Sequence, residues 1–128
     1  MHTIVLVMQR RSIAEGLIDV LEKKSSMLCI CFESNYSEAE EVIKNCKAEI
    51  ALIEVDENEK GNILHCFLLC AELRKSMPEC KLILLCSEQD KSCIRDVISA
   101  KKDHRIDEFV FYDTSVEYLA AKLISLTV

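Results

Sequence analysis

The sequence predicts an α/β domain built on a five-stranded parallel sheet with helices on both faces. Five short runs rich in apolar and β-branched residues recur along the chain: TIVLVM at 3–8, MLCICFE at 27–33, EIALIEV at 49–55, KLILLCS at 81–87 and DEFVFY at 107–112. Each is followed by a stretch whose apolar residues repeat at helical spacing. Strict alternation of strand and helix over 128 residues calls for crossover connections, and those produce a parallel sheet covered on both sides.

The first run is unbroken from Ile4 to Met8, as a strand buried on both faces requires. Ser12 with Glu15 three residues on forms a capping-box pattern, opening a helix through about Lys24 with Ile13, Leu17, Val20 and Leu21 on one stripe. After the second run, Ser37 with Glu40 repeats that pattern ahead of a helix ending near Cys46. The third run leads into the polar loop DENEKGN, and a third helix extends from about Ile63 to Ser76, where Pro78 keeps it from continuing. The fourth precedes a helix over 90–101 that turns Ile94, Val97 and Ile98 inward. After the fifth, Thr114 or Ser115 caps a last helix ending at Leu126. Glu117 is placed to complete a box with Thr114, and Leu119, Leu123 and Ile124 share one face.

Two Gly and one Pro in 128 residues leave no linker or low-complexity segment, so one domain spanning 1–128 is expected. A net charge of −6 and a pI near 5.1 give no basic footprint, and nucleic acid is not expected as a partner of this domain. The run ILHCFLLCA at 63–71 is too short to span a bilayer, and in MHTIVLVMQRR the charges follow the apolar stretch instead of preceding it. A cytoplasmic chain without a membrane partner is the expectation. The eight cysteines include no CxxC pair and read as buried, reduced, small hydrophobes. His65, Cys66 and Cys70 make a poor metal site, because adjacent helical residues point about 100° apart and a fourth ligand is missing. With only Gly16 and Gly61, no glycine-rich loop can cradle a nucleotide, and no cofactor is expected.

Right-handed crossovers leave few topologies, and the flavodoxin-like strand order 2-1-3-4-5 is the favourite at this length. In such sheets ligands and chemistry gather at the carboxyl ends of the strands, near the switch between strands 1 and 3. The informative residues are therefore Met8 and Gln9, Glu54, Cys86 and Ser87, and Tyr112 and Asp113.

At these positions IVLVMQRRS, EIALIEVDENEKG, KLILLCS and DEFVFYDTSVEYL resemble the strand ends of the receiver (CheY-like) domain of two-component response regulators, and the likeness covers essentially the whole chain. The resemblance puts Glu54 on the phosphoacceptor aspartate, Met8 and Gln9 on the acidic pair, Cys86 on the hydroxyl residue and Tyr112 on the lysine. Phe109 falls on the aromatic that reports activation by changing rotamer. Asp113 replaces a proline, and the loop from Glu54 to Gly61 is one residue short and lacks its proline. With Met8 and Gln9 in place, only Glu54 remains to hold magnesium, and no lysine neutralises charge on a moving phosphoryl group. The resemblance thus implies a pseudo-receiver: no enzyme, no metal, and signalling through a protein partner or an output domain. Helix 4, strand 5 and helix 5 would be the surface, with Phe109 and Tyr118 adding apolar area for such a partner or for a second copy in a homodimer. The domain would stand alone or form the front of a longer regulator.

Glu54 has two readings. Its carboxylate reaches about 1.5 Å further than an aspartate's and would imitate an acylphosphate, although with one charge and two oxygens against nearly two charges and three. Alternatively it is a polar residue tolerated at a wet strand end and satisfied by Gln9, Tyr112 or backbone amides, which the missing partners at 86 and 112 favour. A phosphoacceptor modified at Glu54 or Asp56 by a histidine kinase is one further alternative. A redox or small-molecule sensor using Cys86 in the vacated pocket is another.

Overall fold

Apolar runs with no polar alternation cannot leave a face in water, so they stack edge to edge and take helices on both sides. The computed structural model of the chain describes residues 1–56 and 62–127. Its strands β1 (His2–Val7), β2 (Leu28–Glu33), β3 (Ile50–Glu54), β4 (Lys81–Cys86) and β5 (Glu108–Phe111) pair in parallel in the order β2-β1-β3-β4-β5. This is the expected flavodoxin-like order. The helices are α1 (Arg11–Lys24), α2 (Ala39–Cys46), α3 (Ile63–Ser76), α4 (Lys91–Lys102) and α5 (Val116–Ser125).

Side chains alternate along each strand and divide the core in two. Ile4, Leu6, Met8, Leu52 and Ile83 pack with Leu17 and Leu21 of α1 and with Leu119 and Leu123 of α5. On the other face Val5, Val7, Ile53, Leu84 and Cys86 pack with Ile43 of α2, Leu73 of α3 and Val97 of α4. The register sets Glu54 beside Leu85 and Cys86 beside Phe111, so the ends of β1, β3, β4 and β5 share one edge of the sheet.

The helix starts depart from local pattern. Ser12 does not cap α1, which begins two residues earlier than that cap implies, with Arg10 in the cap position and no side-chain cap bond. The Arg10 amide is instead claimed by the carboxylate of Glu54, a cap supplied from another strand. Asn35, not Ser37, turns the chain after β2. Its Oδ1 accepts the Ser37 amide at 3.1 Å, and a 3-10 turn at Tyr36–Glu38 precedes α2. Asn62, Asp90 and Ser115 cap α3, α4 and α5 by accepting amides three residues on. Ile98 is 40% exposed, because the buried stripe of α4 is Cys93, Val97 and Ala100, at spacings of four and three. Cys29 is exposed as well, against the expectation of a buried thiol. Most of the shortened loop, residues 57–61, lies outside the described residues. Among the described residues no helix is long and apolar enough to cross a membrane.

Candidate functional site

β3 alternates so that Glu54 follows Leu52 onto the face covered by α1 and α5, the face that Met8 occupies and Tyr112 packs against. There its side chain is 0% exposed, the one buried charged residue among the described ones. Burying a carboxylate is costly unless donors replace water, and here they do. Oε1 accepts the backbone amides of Gln9 at 2.6 Å and of Arg10 at 3.1 Å. Oε2 accepts the hydroxyl of Tyr112 and lies 3.5 Å from Nε of Arg10. The guanidinium of Arg10 sits 4.5 Å above the Tyr112 ring, so cation, ring and carboxylate form one stack. The main-chain oxygen of Glu54 accepts the hydroxyl of Tyr36 at 2.5 Å. Among the described residues no buried side-chain nitrogen or oxygen is left without a partner.

The electrostatics follow from this packing. Burial, then the neighbouring Glu54 carboxylate, pushes the Tyr112 phenol far up, so Tyr112 remains a donor at any ordinary pH. Burial raises Tyr36 in the same way. Glu54 also places its negative charge at the amino end of α1, the favourable end of the helix dipole. It joins the end of β3 to the segment after β1, the residue following β5 and the start of α1 at one point.

The remaining positions are less convergent. Met8 is a fully buried thioether in the α1 and α5 layer. Gln9 contributes its amide to Glu54, while its side chain turns away to donate to the Ser34 carbonyl at 2.6 Å. Cys86 is buried on the opposite face of the sheet, where its thiol lies 3.7 Å from the Val110 carbonyl. A hydrogen bond with Cys93, then burial, drives the Cys86 thiol strongly upward, so the amino end of α4 does not activate it. Phe109 packs edge-on to Phe111, with ring centres 5.7 Å apart. Cys66 and Cys70 are buried in the core, whereas the His65 ring faces Asn62 at the surface. Magnesium, which this strand-end geometry would suggest, does not fit the donors present. Met8 offers sulfur, Gln9 points elsewhere, both Glu54 oxygens hold donors, and Arg10 occupies the cationic place. Among the described residues no group of three His, Cys, Asp or Glu side chains is set to hold a metal ion.

No family model and no curated protein matches the chain. Solved structures match it over nearly its full length. The N-terminal domain of the nisin resistance regulator NsrR is 23% identical, with a TM-score of 0.79, and the alignment covers 100% of this chain and 99% of that one. A CheY-like receiver domain protein from Methanospirillum hungatei is 14% identical, with a TM-score of 0.77 and coverage of 98% and 92%. The chain has the receiver fold. A protein from streptococci described as a redox sensor evolved from two-component response regulators is 13% identical, with a TM-score of 0.80, and matches 99% of this chain over 51% of its own length.

Within the receiver fold, the strand-end pocket of this chain is filled by its own Glu54, Arg10 and Tyr112. Sequence reasoning misses two members of the site. Nothing in the local sequence singles out Arg10 from Arg11 beside it, yet a buried acid needs a cation, and Arg10 is the first one beyond the end of β1. Tyr36 carries no helical or strand signal. The cue was a lone aromatic in a turn opposite the end of β3, where its hydroxyl needs an acceptor.

Proposed function

We propose that the chain is a receiver-like signalling domain of a two-component or phosphorelay response regulator that works without phosphorylation, through contacts with a protein partner or an output domain. The observation that carries this reading is the state of Glu54: buried, with both oxygens engaged by Gln9, Arg10 and Tyr112. Phosphoryl transfer needs an oxygen free to attack and cations free to hold the transferring group, whereas both Glu54 oxygens are engaged and the Arg10 cation beside them is already paired with Glu54 itself. Glu54 then serves as a fixed strut that keeps one arrangement of the strand ends, and the domain catalyses no reaction. Cys86, buried and strongly protonated, lends no support to a sensor in this pocket.

The surface that suits a partner is α4, β5 and α5. Tyr118 is 55% exposed on α5, at a groove of about 220 Å³ lined by Glu108, Phe109, Phe111, Thr114 and Lys122, and α4 adds the exposed Ile98. An output domain or a second copy of the chain would meet it there. Incubation with acetyl phosphate and magnesium, followed by intact-mass measurement, tests the central claim. The mass is expected to stay unchanged. A phosphoryl adduct at Glu54 or Asp56 would overturn the reading.

A further inference from the structure

Five of the eight cysteines, Cys66, Cys70, Cys80, Cys86 and Cys93, are each 5% exposed or less, beyond the reach of a dissolved oxidant. The other three gather where β2 meets α2. Cys29 and Cys31 lie two residues apart on the same face of the edge strand β2, and Cys46 is the last residue of α2. Cys31 and Cys46 are half-buried, and their sulfurs are 3.4 Å apart. A disulfide bond is about 2.05 Å long, so the gap to close is on the order of 1.4 Å, the scale of a small side-chain rotation. Cys46 can supply it. It ends its helix, and Lys47 after it already leaves the helical path with φ 53.

We propose that Cys31 and Cys46 form a dithiol that hydrogen peroxide converts into a reversible disulfide between β2 and α2. Cys46, as the thiolate, attacks one peroxide oxygen. The O–O bond breaks, hydroxide leaves, and Cys46 becomes a sulfenic acid. Cys31 then attacks the sulfenic sulfur, giving up its proton as the second hydroxide departs. Two thiols and one peroxide yield one disulfide and two waters, with two electrons passing from sulfur to oxygen. Burial, then the bond to Cys46, pushes the Cys31 thiol up to about 11, and taking the two sulfurs in the other order gives the same disulfide and the same two waters. The segment closed by the bond carries Ser34 and Tyr36, the residues that hold Gln9 and the main chain of Glu54. Oxidation therefore fastens one wall of the strand-end site. The inference stands on the thiol geometry alone and does not depend on the signalling proposal.

The test treats the reduced full-length chain with one equivalent of hydrogen peroxide. Its mass and its tryptic map are then read under denaturing, non-reducing conditions. The expected result is the loss of two hydrogens per chain, reversed by dithiothreitol, with tryptic peptide 25–44 joined to peptide 45–47. Because 25–44 holds both Cys29 and Cys31, the Cys29→Ser chain must keep the link and the Cys31→Ser chain must lose it. An unchanged mass, added oxygen without lost hydrogens, a link that disappears in Cys29→Ser, or a chain-to-chain disulfide through Cys29 each overturns the proposal. The wild-type and Cys29→Ser results decide the matter even if Cys31→Ser fails to fold.

Discussion

At Glu54 a single residue shows how a buried charge is made tolerable, because each oxygen has donors of its own and the charge it pairs with, on Arg10, is opposite in sign. Tyr112→Phe removes one donor and leaves Oε2 facing an arginine that is 60% exposed and partly satisfied by water. The expected cost is about 1–3 kcal/mol, as for a hydrogen bond to a buried charged group. Glu54→Gln keeps the shape but sets an amide nitrogen against either the Gln9 and Arg10 amides or the Tyr112 hydroxyl, at a similar cost of about 1–3 kcal/mol. Both changes strike one bond, so urea denaturation of the double variant should show a coupling of about 1–2 kcal/mol; additive losses would mean that Tyr112 and Glu54 do not support each other. The oddity of Glu54 is legible in the sequence, since an acid inside an apolar run demands partners. Their identity is only half legible. Tyr112 and the Gln9 amide come from strand ends that the topology brings together, whereas Arg10 requires knowing that the start of α1 lies over the end of β3.

Among the elements, β5 is an edge strand whose security rests on one carboxylate. Glu108 accepts Nζ of Lys101 on α4 at 2.8 Å and pairs with Nζ of Lys122 on α5 at 3.2 Å, tying both helices to the strand between them. Burial alone would raise its pKa. The bonds from Lys101, the Phe109 amide and Lys122 outweigh that, and the folded value lies below the ordinary 4.5. The sign follows from linkage: the unfolded chain binds a proton here more readily, so the stabilisation is full above the ordinary carboxylate value and fades as pH falls through the folded one. Glu108→Gln should therefore be less stable than wild type at pH 7, and the two should converge in urea titrations carried into strong acid. A gap that stays constant with pH would assign the loss to packing instead of charge. All five strands and five helices are legible to within a residue or two, because apolar periodicity is a local signal. The three capping boxes are not. Ser12, Ser37 and Thr114 match the pattern, yet Arg10 and Glu38 take the cap positions of α1 and α2 with no side-chain cap bond, and Ser115, one residue past Thr114, caps α5.

The whole molecule is three layers, with two apolar cores that touch only through the sheet. Strand order was legible because alternation forces parallel crossovers, and their handedness leaves one favoured arrangement at this size. The assignment of residues to each core was also implicit, since neighbours such as Leu52 and Ile53 must point to opposite faces. Whether two cores behave as one structure is a question about the sheet. Every residue of β3 is buried, and its carboxyl end is locked through Glu54 to the segment after β1 and to the residue after β5, so neither layer can loosen without exposing the other. Calorimetry should show one transition whose van't Hoff and calorimetric enthalpies agree, at about 90 kcal/mol near 60 °C from roughly 0.7 kcal/mol per residue. Leu52→Ala opens a cavity under α1 and α5, and Ile53→Ala opens one under the opposite helices. Each should cost about 2–5 kcal/mol and move that same transition downward without splitting it. If either variant unfolds in two steps, or if its calorimetric enthalpy exceeds the van't Hoff value, the layers melt separately and the strut at Glu54 does not couple them.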